Sequence, residues 1–160
     1  MIKKLLLLIL VCLLPLSLEA KRWNSSTEFQ CMVANLYFEA RGEGYEGMKA
    51  VAAVTVNRMK SGKYPRTLCG VIFQRKQFSW THQKSWSSIQ KIMTGSIKLS
   101  GKDAKAYQNA VIIAAEATRK TFSVDKLQDS LFYHAYYVHP RWTRKMQKVA
   151  IVGSHIFYKG

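Results

Sequence analysis

Acidic residues are scarce in this chain. Of its 160 residues, 25 are Lys or Arg and only 9 are Asp or Glu, so the formal net charge at pH 7 is +16. Such an excess favours a polyanionic partner: nucleic acid, an anionic membrane or an anionic polymer of a cell envelope. The alternative is that much of the charge only keeps the protein in solution.

The chain also lacks a recognisable metal-binding motif. Its four histidines, His82, His134, His139 and His155, show no His-Glu-x-x-His or comparable spacing. We therefore expect no metal site and no cofactor, although four histidines leave a zinc enzyme open as an alternative. No internal repeat or low-complexity tract follows residue 20, and 160 residues suit a single domain.

The apolar run at the N-terminus is short for a membrane span. Lys3 and Lys4 precede the uninterrupted apolar residues 5–14, and a polar-to-small stretch ends at Ala20. This order is typical of a secretory signal peptide, with an uncleaved anchor as the alternative. We expect residues 1–20 to be the signal and residues 21–160 to form one exported domain without a stable membrane anchor. Its location would be the periplasm, the cell wall or the extracellular space.

Export changes the interpretation of the charge. The signal segment holds two of the 25 basic residues and one of the nine acidic residues, so the remainder carries 23 against 8, a net charge of +15. Because an exported protein does not meet intracellular nucleic acid, an anionic envelope polymer becomes the expected partner. We expect the domain to act as a monomer.

Only two cysteines, Cys31 and Cys69, remain after the signal segment. An exported chain with two thiols favours a disulfide between the first helix and the segment after the second. Closing such a loop would stabilise the fold by roughly 3–4 kcal/mol in the chain-entropy model. Two unpaired buried thiols are the alternative.

One predicted helix carries a glutamate at its end. Apolar residues recur at helical spacing between positions 29 and 40, and Glu39 falls close to their face. Ser25 and Glu28 have capping-box spacing at the start, and glycines 42, 44 and 47 would end the helix. A carboxyl held there loses hydration and feels the negative end of the helix dipole, which favours its protonated form. The pattern predicts a general acid, with a solvated surface glutamate as the alternative.

The remaining pattern predicts a mainly helical α+β domain with a small β-sheet. We expect helices at about 27–40, 46–60, 67–73, 85–95 and 102–120, the second of them buried all round. Residues 76–81 read as a strand or extended loop. Residues 131–138 and 149–158 are prone to form strands, with a bend at 153–154. The sheet would therefore combine the middle and the C-terminus of the chain.

Several of these segments together resemble the SleB-type cell-wall hydrolases, the family of the spore-cortex-lytic enzymes. The matching pieces are Tyr-Phe-Glu-Ala-Arg-Gly-Glu at 37–43, Val-Asn-Arg at 56–58, Gln-Phe-Ser-Trp at 77–80, Leu-Phe-Tyr-His-Ala at 131–135 and Ile-x-Gly-x-His-x-Phe-Tyr at 151–158. The resemblance covers residues 28–159. One departure is residues 125–130, where many relatives carry a glycine-rich loop, and the family's optional peptidoglycan-binding repeat is missing.

The resemblance implies a lysozyme-like fold and cleavage of peptidoglycan at the β-1,4 bond between N-acetylmuramic acid and N-acetylglucosamine. Glu39 is similar to the family's catalytic acid. Members with an assigned product are lytic transglycosylases, which leave a 1,6-anhydro end instead of adding water.

The small number of acidic residues limits the mechanisms by which this chain could cleave a glycosidic bond. Glycosidases normally need two carboxyl groups, and Glu43 is the nearest second candidate to Glu39 in sequence. Its glycine-flanked position favours a structural ion pair with Arg41 or Arg58. Without a convincing second carboxylate, a one-carboxylate transglycosylase mechanism fits best.

Further site residues are predicted as follows. We expect Gln77, Ser79 and Tyr133 to contact sugar substituents, and Trp80 either to stack on a sugar ring or to pack in the core. His134 is a candidate hydrogen-bonder in the groove, with a satisfied core histidine as the alternative. Asn57 and Arg58 end a buried helix, so we expect them to hold the loop after Glu39.

Two functions from other classes compete with this interpretation. One is a zinc-dependent peptidoglycan amidase or peptidase, built on the four histidines. The other is a basic, non-enzymatic envelope-binding module, for which the aromatic and basic residues 141–145 are suited. The second alternative leaves Glu39 without a purpose.

Overall fold

The computed structural model describes residues 25–160, so the predicted signal peptide at residues 1–20 lies outside the described residues. Within residues 25–160, no helix is long and apolar enough to cross a membrane. The element order is six α-helices followed by three strands, with two short 3₁₀ helices beside the first strand.

Five of the six helices of the described residues match the predicted ones closely, and α4 was not predicted. They are α1 (Ser25–Ala40), α2 (Gly44–Lys60), α3 (Leu68–Ile72), α4 (Trp80–Gln83), α5 (Trp86–Thr94) and α6 (Gly101–Ala117). Their ends follow local sequence signals. Thr67 and Ser85 cap α3 and α5 by accepting backbone N–H bonds, and Gly95 ends α5 in the left-handed conformation.

The core lies between the helices. α1 packs against α2, α3, α5 and α6, and α2 also contacts the sheet. The predicted burial of α2 on all sides is confirmed, since its residues from Ala50 to Val56 are all buried. The Cys31–Cys69 disulfide is formed, with a Cα–Cα distance of 5.3 Å, and it joins α1 to α3 as predicted.

The start of α1 differs from the predicted capping box. The Glu28 carboxylate accepts hydrogen bonds from the backbone N–H groups of Leu68 and Cys69, at 2.5 and 3.3 Å. It therefore caps α3, across the disulfide, rather than its own helix. The predicted box is wrong because the unpaired N–H groups of α3 lie within reach of this side chain.

The sheet is wholly C-terminal. β1 (Ser130–Ala135), β2 (Lys148–Val152) and β3 (His155–Lys159) form an antiparallel sheet in the order β1-β3-β2, and Gly153 and Ser154 make the predicted turn between β2 and β3. Residues 76–81 were expected to form a strand or an extended loop, and they form no strand. Phe78 and Trp80 are both buried, as their spacing suggested, but this segment is a turn that leads into α4.

Candidate active site

Glu39 lies in the last turn of α1, half-buried at the edge of the core. Burial raises the pKa of its carboxyl group above the usual value. A hydrogen bond from Tyr133 and the nearby charges of His155 and Arg58 oppose that rise without cancelling it. The geometry thus gives the side chain the property predicted from its helix position, namely a carboxyl group that holds its proton more tightly than a free glutamate.

Tyr133 on β1 connects the sheet to this carboxyl group. Its hydroxyl donates a hydrogen bond of 3.0 Å to Glu39 Oε1. Side chains alternate along a strand, and Tyr133 shares its face of the sheet with His155 and Phe157 of β3, at ring distances of 5.1 and 5.5 Å. Burial raises the pKa of Tyr133 well above its usual value, so the phenol keeps its proton and acts as a donor.

Glu43 is bound to the turn between β2 and β3. Its carboxylate accepts hydrogen bonds from the Ser154 hydroxyl at 2.6 Å and the Ser154 N–H at 2.9 Å, and Nδ1 of His155 lies 3.5 Å away. Burial alone would raise the pKa of Glu43, but the Ser154 hydrogen bonds and His155 outweigh it, so the pKa is lowered. Glu43 is a charged residue with its oxygens already engaged.

The predicted partners of Glu43 are therefore wrong. Arg41 is exposed and lies over the ring of Tyr37, 5.4 Å from its centroid. Arg58 donates instead to a backbone carbonyl of β1. The anchoring role expected of Glu43 is kept, but its target is a turn 111 residues away in sequence.

Two glycines make room for the Glu43 side chain. A Cβ atom on Gly47 would lie 2.4 Å from the Glu43 Cβ, and a Cβ atom on Gly153 would lie 2.7 Å from its Oε2. Gly153 also has a φ of +56°, which favours glycine. Gly47, which was expected to end the first helix, lies inside α2, where its lack of a side chain lets the Glu43 side chain come close to the backbone.

Asn57 and Arg58 hold β1, not the loop after Glu39 as predicted. The Asn57 amide donates to the carbonyls of Leu127 and Ser130 at 2.9 and 3.1 Å. Arg58 Nε donates to the carbonyl of Leu131 at 2.8 Å. These bonds fix the start of the strand that carries Tyr133. Asn57 and Arg58 therefore support the site through β1 and not through the loop after Glu39.

Trp80 is a core residue. It is only 3% exposed, its indole N–H donates to Asn35 Oδ1 at 3.2 Å, and its ring stacks on Phe38. A side chain buried and satisfied in this way has no face left for a sugar ring, so its predicted alternative role in stacking is wrong.

His134 is on the other face of the sheet from Tyr133. Its two ring nitrogens lie 2.8 Å from the Ala135 carbonyl and 2.9 Å from the Tyr158 hydroxyl, and Tyr158 stacks on its ring. Since adjacent residues of a strand point to opposite faces, the structure does not bring His134 to Glu39. Both ring nitrogens have partners, as in the alternative prediction, but His134 is half-buried on the sheet and not in the core.

Gln77 and Ser79 lie before α4. Ser79 is exposed at the N-cap of α4, and Gln77 is half-buried in the lining of a cleft that Arg58 also lines. Their predicted contacts to sugar substituents remain predictions.

His155 and Ser154 belong to the site but were not predicted as members of it. The sequence presents His155 only as one of four histidines and as part of a motif. The alternation of His155 and Phe157 along the strand was the available signal, because it places both residues on the face that Tyr133 shares. No local signal identifies Ser154, because its partner is remote in sequence. Among the described residues, no three His, Cys, Asp or Glu side chains come together as a metal site.

The fold and the site together define a class. A mainly helical α+β domain in which a half-buried glutamate ends a long helix and meets a small antiparallel sheet has a lysozyme-like architecture. Residues 42–158 match the sequence model of the cell wall hydrolase family, and the chain belongs to that family. The matched stretch begins just after Glu39.

The similar proteins of known description are spore cortex-lytic enzymes. The enzyme of Bacillus cereus is 29% identical over 140 residues, which are 84% of this chain and 45% of that protein. The enzyme of Oceanobacillus iheyensis is 44% identical over 63 residues, or 39% of this chain and 23% of that protein. The chain thus spans less than half the length of these relatives.

Two solved structures have the same fold. The catalytic domain of the Bacillus cereus SleB protein is 27% identical and superposes with a TM-score of 0.57, covering 83% of this chain and 90% of that one. The catalytic domain of the germination-specific lytic transglycosylase SleB from Bacillus anthracis is 28% identical, with a TM-score of 0.53 over 83% and 94% of the two chains.

Proposed function

We propose that this domain cleaves the glycan strands of peptidoglycan between N-acetylmuramic acid and N-acetylglucosamine, as a lytic transglycosylase with Glu39 as its general acid and base. The observation that carries the proposal is the Glu39 carboxyl group, which burial keeps protonated to a higher pH than usual while Tyr133 fixes its orientation. Glycan cleavage requires a proton donor of this kind at the leaving oxygen.

The reaction needs only one carboxyl group. Glu39 donates its proton to the glycosidic oxygen as the bond from that oxygen to the anomeric carbon breaks. The hydroxyl on C6 of the same muramic acid then bonds to the anomeric carbon, and its proton passes to the Glu39 carboxylate. The acid is thereby regenerated, no water is consumed, and the product has a 1,6-anhydro ring.

The surroundings of Glu43 support this mechanism over a two-carboxylate one. Both of its oxygens accept hydrogen bonds from Ser154, and these bonds stabilise the carboxylate and lower its pKa. A nucleophile or a base that activates water needs a free oxygen facing the sugar. Glu43 therefore serves to hold the turn between β2 and β3, which places His155 beside Tyr133.

The relatives favour the same substrate. One structural neighbour is named a lytic transglycosylase, and the similar curated proteins are named spore cortex-lytic enzymes. The net charge of +15 beyond residue 20 suits an anionic wall polymer. We infer that the domain is exported and works on the cell wall as a monomer.

The deciding experiment is mass spectrometry of muropeptides released from purified peptidoglycan by residues 21–160. Products that are lighter by one water per cut end than hydrolytic products identify a transglycosylase. Reducing ends would instead identify a hydrolytic muramidase, and release of free peptides would identify an amidase. Adding a chelator separates the zinc alternative, because only a metal enzyme would stop.

Two variants complete the experiment. Glu39→Gln should abolish release while the protein still sediments with cell walls. The matched control is Glu46→Gln, which changes an exposed glutamate in the first turn of α2 and should leave release unchanged. Wall binding without any release by the wild-type domain would identify a non-enzymatic binding module.

A further inference from the structure

The cleft that Gln77 and Arg58 line is a cavity beside the site. Its volume is about 440 Å³, and its lining includes Arg58, Tyr64, Lys76, Gln77, Phe132 and Trp142. Phe132 and Trp142 are in contact, with ring centroids 5.9 Å apart, and Phe132 precedes Tyr133 on β1. The cavity therefore lies across the first strand from the face that meets Glu39.

The cavity has a buried cation, Arg58, that forms no salt bridge among the described residues. Arg58 is only 7% exposed, and its guanidinium carbon lies 5.6 Å from the ring centroid of Tyr64 and 5.8 Å from that of Phe78. Its Nη1 is buried and makes no hydrogen bond within residues 25–160. A buried guanidinium left in this state is costly unless an anion completes it.

A second cation lies at the rim. Lys76 is exposed and has a φ of +66°, a conformation that a residue with a side chain rarely adopts. It is followed by Gln77, whose side chain can accept or donate hydrogen bonds. Of the described residues that line the cavity, none is acidic. The lining thus combines two cations, an amide and aromatic walls, which suits an anionic group with an apolar attachment.

The position next to Glu39 narrows the choice of anion. Phe132 of the cavity lining is followed by Tyr133, whose hydroxyl donates a hydrogen bond to Glu39, so the cavity is close to the proposed site of cleavage. N-acetylglucosamine is neutral, and where muramic acid carries a stem its lactyl carboxyl group is an amide, so the carboxylates of such a strand belong to the peptide stem. A planar carboxylate matches the fork of an arginine, and the alkyl parts of a peptide suit walls formed by Tyr64, Phe132 and Trp142.

We propose that this cavity binds a carboxylate of the peptide stem carried by the muramic acid beside the cleaved bond. The proposal rests on the proposed function. It makes the domain selective for glycan strands that keep their stems over strands that have lost them, with Arg58 and Lys76 as the residues that recognise the stem.

The first test compares two substrates, peptidoglycan with its stems and the same glycan stripped of stems by an amidase, with the lactyl carboxyl group that the amidase frees then converted to a neutral methylamide. Wild type should have a higher kcat/KM on the strands with stems. Lys76→Gln should lower that value by about fivefold, the effect expected for one partly exposed ion pair, and leave the value on stripped strands unchanged. The matched control is Lys91→Gln, which changes an exposed lysine of α5 and should alter neither value. Equal cleavage of both substrates by wild type, or an equal loss on both with Lys76→Gln, would overturn the proposal.

The second test measures binding without catalysis. Muramyl dipeptide should change the fluorescence of wild type, and the change should be absent from Trp142→Phe and weaker in Lys76→Gln. An N-acetylglucosamine oligomer without a stem should have no such effect at Trp142. A response to inorganic phosphate as strong as that to muramyl dipeptide would mean a general anion site and would overturn the assignment to the stem. If neither glycan is cut, the proposed function fails, and this titration alone decides whether the cavity binds a stem.

Discussion

Two glutamates four residues apart are treated in opposite ways by this fold. Glu39 ends α1 beside the core, where loss of hydration dominates and raises its pKa. Glu43 stands in the following loop, where Ser154 and His155 surround it and lower its pKa. Both belong to the same short motif and both meet the sheet.

The difference shows that partners, not position in the motif, decide the role of each carboxyl group. Glu39 receives one hydrogen bond, from Tyr133, which is too little to offset its burial. Glu43 receives two from Ser154 and has a histidine nearby. Separated pKa values of this kind divide neighbouring carboxyl groups into an acid and a permanently charged support.

The largest expected effect is the loss of activity in Glu39→Gln, and it tests directly whether Glu39 and Glu43 have different roles. Glu39→Gln should lower the rate of muropeptide release by about 10²- to 10⁴-fold, the usual contribution of a general acid. Glu43→Gln should lower it by no more than about tenfold, since an amide can still accept one of the two Ser154 bonds. Both rates are measured on purified peptidoglycan at saturating substrate.

Circular dichroism of both variants is the control for folding. Equal losses of activity in two folded proteins would contradict the division of roles, because they would place Glu43 in the chemistry as well.

The second prediction concerns stability, and here the substitution of Glu43 should have a larger effect than the substitution of Glu39. Glu43→Gln should lower the free energy of unfolding at neutral pH by about 1–3 kcal/mol, the cost of losing charge-assisted hydrogen bonds to a half-buried turn. Glu39→Gln should leave it unchanged or raise it slightly, since a neutral amide replaces a carboxyl group whose charged form is disfavoured by burial. Urea unfolding followed by tryptophan fluorescence measures both. A larger loss of unfolding free energy in Glu39→Gln than in Glu43→Gln would contradict the supporting role assigned to Glu43.

How much of the structure can be predicted from the sequence depends on how far apart in the chain the interacting residues are. The longer helices and the β2–β3 turn follow from local spacing, and Glu39 can be identified because helix periodicity and its glycine-rich end are local signals. The disulfide follows from having two cysteines in a domain for which export is predicted.

The errors concern contacts between remote segments. The sequence pairs Glu43 with arginines that are near it in the chain, because nothing local points to Ser154. Trp80 and His134 have side chains that suit sugar contacts, but the packing of Trp80 on α1 and the strand face of His134 decide otherwise. The segment at 76–81 alternates like a strand, yet it has no neighbouring strand to pair with, so it forms a turn.

The third prediction concerns the pH dependence of stability. The lowered pKa of Glu43 means that its carboxylate stabilises the folded state above the pKa of the unfolded chain, and that this contribution is lost as the pH falls through the folded pKa. The stability difference between wild type and Glu43→Gln should therefore shrink as the solution is acidified. Unfolding curves across the acidic range measure it. A difference that stayed constant with pH would mean that the charge of Glu43 contributes nothing.

The smallest effect is expected from the one bond that connects Glu39 to the sheet. The Tyr133 hydroxyl stabilises the charged form of Glu39, so Tyr133→Phe should raise the pKa of Glu39 further. Because the acid must be protonated to react, activity falls as the pH rises through that pKa, and the alkaline limb of the kcat/KM profile should move to higher pH. A modest drop in kcat should accompany the shift, since the carboxyl group loses its orienting partner.

Tyr136→Phe is the matched control, because it removes the hydroxyl of an exposed tyrosine beyond the end of the same strand and should leave the profile in place. A shift to lower pH in Tyr133→Phe would mean that the phenol stabilises the protonated acid instead. The hydrogen bond from Tyr133 would then add to the effect of burial on Glu39 rather than oppose it, and the contrast with Glu43 would no longer depend on how many donors each carboxylate receives.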